Sequence, residues 1–269
     1  MPLIDVAGNR IHVTESGHGS PILFLHGNPD SADLWSGVIA RLVDRRRSIA
    51  IDLPGFARSE ASDDFDYTLK GQSKFVASLL SALKIDEPVN LVCHDFGGTF
   101  ALSYLSDFPE QVRSVVISNT AFFADYRWHF WARVWKTPVL GEIAMALPIG
   151  RSAFRRAMRK GSKRLTDSQI DQVYDRMTPR VKRNVLRLYR SVNPASFPDW
   201  ENRFETAAKR VPALVLWGDG DPYISDSCAE RFFARRVVHF PEAGHWLPAV
   251  EPTAFASEMI AFLDEVENR

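Results

Sequence analysis

Short apolar runs alternate along this chain with longer segments whose apolar positions recur every three or four residues. The runs Arg10–Val13, Ile22–Leu25, Ser48–Ile51, Val89–Val92 and Val112–Ile117 are bounded by turn residues, which predicts buried strands. Ala213–Trp217 and Val237–Phe240 repeat the pattern late in the sequence. Between them the spacing predicts helices over Ser31–Val43, Thr68–Leu83, Gly97–Asp107, Ala229–Arg235 and Thr253–Val266. Ser31 and Asp33 suit a helix start, and Pro252 suits a first turn, where a missing N–H costs nothing. Alternation of this kind predicts an α/β fold, a mostly parallel sheet flanked by helices.

The rhythm stops between residues 121 and 205, which are helix-patterned with no clear strand. This predicts an inserted helical cap over the carboxyl edge of the sheet, so that 1–120 and 206–269 form the core and 121–205 the cap. Charge changes across the same boundary. The chain carries 33 basic and 33 acidic side chains, yet Arg127 to Arg190 holds 16 Lys/Arg against 4 Asp/Glu. The neutral total therefore hides a basic insertion on an acidic body. Such a surface is either a set of solvated helix faces or a rim that attracts anionic substrates or an anionic surface.

Composition sets limits on partners. The 269 residues suffice for one large α/β domain with an insertion, and the zero net charge gives no reason to expect nucleic acid. Two cysteines, Cys93 and Cys228, make no disulfide framework and fit a reducing compartment. No leader-like N-terminus and no membrane-length apolar run is seen. The expectation is a cytoplasmic protein, monomer or homodimer, acting on a small molecule without a membrane partner, cofactor or metal.

The candidate chemistry centres on Asp95, in Val92-Cys93-His94-Asp95-Phe96-Gly97-Gly98. It follows an apolar run and precedes a helical segment, the context of a sharp strand-to-helix turn that displays one side chain. A carboxylate there gains little against ordinary esters, because it would form a mixed anhydride. It suits displacement at a saturated carbon, where it forms an alkyl ester.

Four further segments surround it in sequence: Leu25-His26-Gly27-Asn28-Pro29, Asp52-Leu53-Pro54-Gly55-Phe56, Trp217-Gly218-Asp219-Gly220-Asp221-Pro222 and Ala243-Gly244-His245-Trp246. Together they resemble the α/β-hydrolase superfamily, and the Asp in the turn resembles its epoxide hydrolases and haloalkane dehalogenases. The resemblance implies Asp95 as nucleophile, His245 as general base and Asp221 as the acid that orients it, with Asp219 as the alternative acid. It implies an oxyanion hole from the backbone N–H groups of Asn28 and Phe96. Cys93 stands where the family usually has Gly; as a rival nucleophile its spacing to the glycines is wrong. His26 belongs to a structural turn, and His94 is expected to point away from the nucleophile.

Neighbouring residues bear on the leaving group. In the resembling dehalogenases a Trp usually follows the nucleophile, whereas here the side chain of Phe96 donates nothing. Asn28 is a candidate halide donor, with Trp128, Trp131 and Trp135 as candidate second donors or packing residues. In the resembling epoxide hydrolases two cap tyrosines protonate the opened ring. Tyr126 and Tyr189 stand in similar places, with Tyr174 a weaker candidate and core packing the alternative. The Arg residues that fluoroacetate-type dehalogenases carry beside the nucleophile are absent. The resemblance thus implies an epoxide hydrolase first and a haloalkane dehalogenase second. A non-catalytic small-molecule receptor and an ester hydrolase on the same fold are further alternatives.

Overall fold

The computed structural model describes residues 3–42 and 46–268. Its strands are β1 (Leu3–Val6), β2 (Asn9–Ser16), β3 (Pro21–Leu25), β4 (Arg47–Ile51), β5 (Val89–His94), β6 (Val112–Ser118), β7 (Ala213–Gly218) and β8 (Arg236–Phe240). They form one sheet in the order β1-β2-β4-β3-β5-β6-β7-β8. The pairs β1/β2 and β2/β4 are antiparallel and all others parallel. This is the expected mostly parallel sheet. β3, β5 and β7 are buried at every position, as strands covered on both faces must be. Strand β1 has no counterpart in the sequence reading. It is four residues at the sheet edge, paired through a tight turn with positive φ at both Ala7 and Gly8.

The helices are α1 (Ser36–Ile39), α2 (Leu69–Ala82), α3 (Phe96–Asp107), α4 (Phe130–Lys136), α5 (Leu140–Ala146), α6 (Arg151–Gly161), α7 (Asp167–Arg176), α8 (Pro179–Ser191), α9 (Pro198–Ala208), α10 (Leu247–Val250) and α11 (Pro252–Glu267). Phe75, Phe100 and Phe204, from α2, α3 and α9, join the apolar core on one face of the sheet. Val38, Leu247 and Phe255, from α1, α10 and α11, join that on the other. Helix α2 is capped by Thr68, whose side chain accepts the Gly71 N–H, and α11 opens on Pro252.

Two expected helices are wound differently. In place of Ser31–Val43 there is a 3-10 turn at Ala32–Trp35 followed by α1, with the Ala32 N–H tied to the Asp52 carboxylate. Ser31 still caps the turn, and the expected end at Val43 lies outside the described residues. In place of Ala229–Arg235 there is a 3-10 turn at Asp226–Phe232, stopped by Phe233 at φ 53°.

Helices α4 to α8 lie between β6 and β7. The expected cap boundary at 205 falls inside α9, which packs on α3 and buries Phe204 among Phe122 and Phe232. The insertion is tied down from α7 and α8. Asn184 donates to the Gly55 carbonyl at 3.1 Å, Arg187 to Asp63 and Phe65 at 2.8 and 3.1 Å, and Arg180 to Ala57 at 2.9 Å. Arg176 reaches Ser31 and Asp33. Part of the basic insertion thus serves to bind it to the core.

Candidate active site

Asp95 sits where β5 ends and α3 begins, with φ 50° and ψ −127°. A non-glycine residue in this region is held against local strain of about 1–3 kcal/mol. The surroundings hold it: its N–H donates to the Asn119 carbonyl at 3.2 Å, and its carbonyl accepts from Thr120 Oγ1 at 2.6 Å and the Gly98 N–H at 2.9 Å. Gly97 permits the turn, since a Cβ there would lie 2.1 Å from the Leu25 carbonyl oxygen. Gly27 lets the β3 loop approach from the other side, since its Cβ would lie 2.2 Å from Asp95 Oδ1.

That approach brings the Asn28 backbone N–H to Asp95 Oδ1 at 2.7 Å. The Phe96 backbone N–H also bonds the carboxylate. The other oxygen, Oδ2, faces His245 Nε2 at 3.6 Å. The two oxygens of one carboxylate are thereby differentiated, Oδ1 held by the Asn28 N–H and Oδ2 beside an imidazole. Burial raises the pKa of Asp95, while His245 and the two N–H bonds favour its charged form.

His245 Nδ1 lies 2.7 Å from Asp221 Oδ2. Asp221 is fully buried and also accepts from Asn119 Nδ2 at 2.9 Å and the Tyr223 N–H at 2.7 Å. Burial opposes a charge on His245, but Asp221, Asp95 and Asp30 together outweigh it and the net shift is upward. Asp219, the alternative acid, is turned away to His239 at 2.6 Å. Cys93 is buried beneath the turn, and burial pushes its thiol up, which disfavours a thiolate. His26 Nε2 accepts the Leu53 N–H at 2.8 Å, a structural bond, and burial lowers its pKa to about 4.

Some members of this arrangement have contacts that the sequence does not show. Asn119, with φ 40°, holds Asp221 from the end of β6. His94 turns from Asp95 but supports His245, bonding its carbonyl at 2.8 Å with ring centroids 4.7 Å apart. Tyr223 stands edge-on to the His245 ring at 5.1 Å. Trp246 Nε1 donates to the buried Asp30 at 2.7 Å. Burial pushes Asp30 up to about 6, although the Trp246 bond and His245 act against this.

Asp95 and His245 open into a cavity of about 810 Å³ roofed by the insertion. Asn28, Tyr126, Trp128 and Tyr189 line it with them. Tyr189 Oη accepts a bond from Asn28 Nδ2 at 3.4 Å, and Tyr126 Oη donates to the Tyr223 carbonyl at 3.3 Å. Burial, reinforced by the charge of Asp95, raises both phenols and keeps them protonated donors. Trp128 stacks on Phe96 with centroids 5.9 Å apart, and its buried Nε1 has no hydrogen-bond partner among the described residues. Trp131 and Trp135 line the outer part, and Tyr174 donates to the Ile149 carbonyl at 2.9 Å.

A sequence model of the alpha/beta hydrolase fold matches residues 20–252. The cis-3-alkyl-4-alkyloxetan-2-one decarboxylase of Shewanella oneidensis is 35% identical, over 97% of this chain and 87% of its own. Haloalkane dehalogenase 2 of Mycobacterium tuberculosis is 26% identical, over 95% of this chain and 92% of its own. The solved structure of the Cif epoxide hydrolase from Acinetobacter nosocomialis superposes with a TM-score of 0.84 at 19% identity, covering 97% of this chain and 88% of the other.

Proposed function

The chain belongs to the alpha/beta hydrolase fold family and is an enzyme of it; from that premise we propose that it opens a strained cyclic ether, an epoxide, by attack of Asp95 at a saturated carbon. Asp95 Oδ2 forms the new C–O bond as the ring C–O bond breaks. The departing alkoxide takes a proton from Tyr126 or Tyr189, leaving a hydroxyalkyl ester on Asp95. His245 Nε2 then takes a proton from a water that attacks Asp95 Cγ. The oxyanion forms on Oδ1, which the Asn28 N–H already holds, with the Phe96 N–H as the second donor to the group. Collapse releases the second alkoxide, which takes the carboxylic proton, and the proton on His245 restores the tyrosinate. Asp221 keeps the imidazole in the tautomer that exposes Nε2.

The observation that carries this reading is the pair of phenols, Tyr126 and Tyr189, facing Asp95 across one cavity while the residue after Asp95 is Phe96. The test is His245→Gln incubated with an epoxide panel, followed by intact-protein mass measurement. The variant is expected to gain the full substrate mass on Asp95 and release no diol. Turnover by wild type with no adduct on the variant would exclude the covalent route.

A second reading draws on the 35% identical relative, whose name describes an oxetan-2-one. A four-membered lactone also offers a strained C–O bond at saturated carbon. Asp95 would displace its carboxylate, which then loses CO2 as the C–O bond to Asp95 breaks and an alkene forms. Products separate the readings: a diol keeps every carbon, whereas decarboxylation releases gas.

A further inference from the structure

The insertion has an apolar face that the core leaves uncovered. Phe130, Trp131, Val139, Leu140, Ile143 and Leu147 are 48–70% exposed and fall on α4, α5 and their ends. Helices α4 and α5 pack on each other, so these side chains share one region of surface. Single exposed apolar residues are ordinary, but a cluster of this size marks a contact surface. The turn between the helices adds to it. Val139 has φ 68° and ψ −51°, and the Leu140 N–H reaches the Pro138 carbonyl at 2.8 Å. That is a γ-turn of the strained kind, unusual for a β-branched residue, and the side chain it displays points into solvent.

The free charge of this stretch of the chain is of one sign. Arg133, Arg156, Lys160 and Lys163 are exposed and, among the described residues, make no ion pair. Other cations of the same stretch are committed: Arg151 and Arg155 to Asp175 and Asp171, and Arg190 to Glu142. Glu142 is the one acidic residue from Arg127 to Thr166, and it is neutralised by that pairing. The cavity also opens here. Trp131, Leu147, Ile149 and Lys160 are exposed at the surface and line the cavity that leads to Asp95.

We propose that this face docks on the surface of an anionic lipid bilayer. Its aromatic and aliphatic side chains enter the boundary between headgroups and acyl chains, and the free cations meet headgroup phosphates. An apolar substrate then reaches the cavity from the lipid side. A second copy fits less well: a two-fold contact would set one basic cap against another and close both cavity mouths. No described helix is long and apolar enough to cross a membrane, so the association is peripheral. The proposal is independent of which bond Asp95 breaks.

The test is sedimentation of the full chain with vesicles of phosphatidylcholine alone and of phosphatidylcholine mixed with phosphatidylglycerol. Binding is expected on the mixed vesicles, roughly tenfold above the neutral ones, and is lost as salt rises. Leu140→Ser with Ile143→Ser is expected to abolish it, and Arg133→Gln with Arg156→Gln to remove the preference for the anionic lipid. An unchanged thermal midpoint shows that each variant folds. Absence of wild-type protein from both pellets overturns the proposal, as does wild-type-like binding by the folded Leu140/Ile143 variant. A dimer by light scattering that this variant converts to monomer also overturns it, by assigning the face to a second copy.

Discussion

The two walls of the cavity are held by different means. On the sheet side, Asp221 accepts from Asn119 and Tyr223 as well as facing His245, and Asp95 is fixed through its carboxylate, its N–H and its carbonyl. On the insertion side, Trp128, Tyr189, Trp135 and His129 meet mainly through ring contacts, and the Trp128 N–H has no hydrogen-bond partner among the described residues. Hydrogen-bond networks admit one geometry, whereas packed rings tolerate a change of partner. On the proposed mechanism the sheet side supplies the nucleophile and the base, while the insertion supplies the acid and shapes what is admitted.

The comparison breaks first at Asp95. Asp95→Ala removes the proposed nucleophile while leaving the aromatic wall in place. Turnover is expected to fall by about 10⁴-fold or more, with substrate still bound. Steady-state rates together with equilibrium binding check this. A variant retaining a tenth of the wild-type rate would mean that the sheet side does not carry the reaction.

The same contrast governs how far the sequence could be read. The strands from β3 to β7 and the three segments bearing Asp95, Asp221 and His245 stand out because they are local: a short apolar run, a turn, one polar residue. Asn119 acts on Asp221 from the end of β6 with nothing in its own neighbourhood to mark it, and His94 and Trp246, although inside the motifs, make their bonds to the His245 carbonyl and to Asp30 across the fold. The 3-10 winding at Ala32–Trp35 was hidden for a similar reason, since it depends on a bond to Asp52 twenty residues away. In the insertion the sequence shows helices and positive charge but not their division. Only the structure separates Arg176, Arg180 and Arg187, spent on the core, from Arg133 and Arg156 on the surface.

On the insertion side the largest expected change comes from the phenols. Tyr126→Phe and Tyr189→Phe each remove one hydroxyl and keep the ring contacts. Epoxide opening is expected to slow by about 10²- to 10³-fold for each, as for loss of a general acid. Pre-steady-state formation of the Asp95 ester reads this step directly. Unchanged ester formation in both variants would strip the phenols of their assigned role.

A smaller effect tests the sheet side for its own cost. Asp30 has its pKa raised to about 6 in the folded chain, largely by burial. A carboxyl shifted upward contributes stability that is full below its unfolded value and is lost as pH rises through the folded one. Ionising it should therefore cost about 2 kcal/mol between pH 4 and 7. Asp30→Asn can still accept the Trp246 N–H but cannot ionise. Denaturant unfolding of both proteins across that range is expected to show wild type losing ground to the variant as pH rises. Parallel curves would mean that Asp30 is already charged in the fold.

The smallest effect is expected at Trp128, and it decides how the aromatic wall is used. Its N–H is buried without a hydrogen-bond partner among the described residues, so the molecule gains nothing from that group unless a substrate supplies an acceptor. Trp128→Phe keeps a ring against Phe96 and removes only the donor. If the leaving oxygen is served by Tyr126 and Tyr189, epoxide turnover should stay within roughly fivefold of wild type, about 1 kcal/mol. A departing halide has no proton to take and depends on N–H donors, which here means Asn28 Nδ2 and Trp128 Nε1. Haloalkane turnover in wild type that falls by tenfold or more in Trp128→Phe would place the halide there, and would move the leaving group from the phenols to the indole of the same wall.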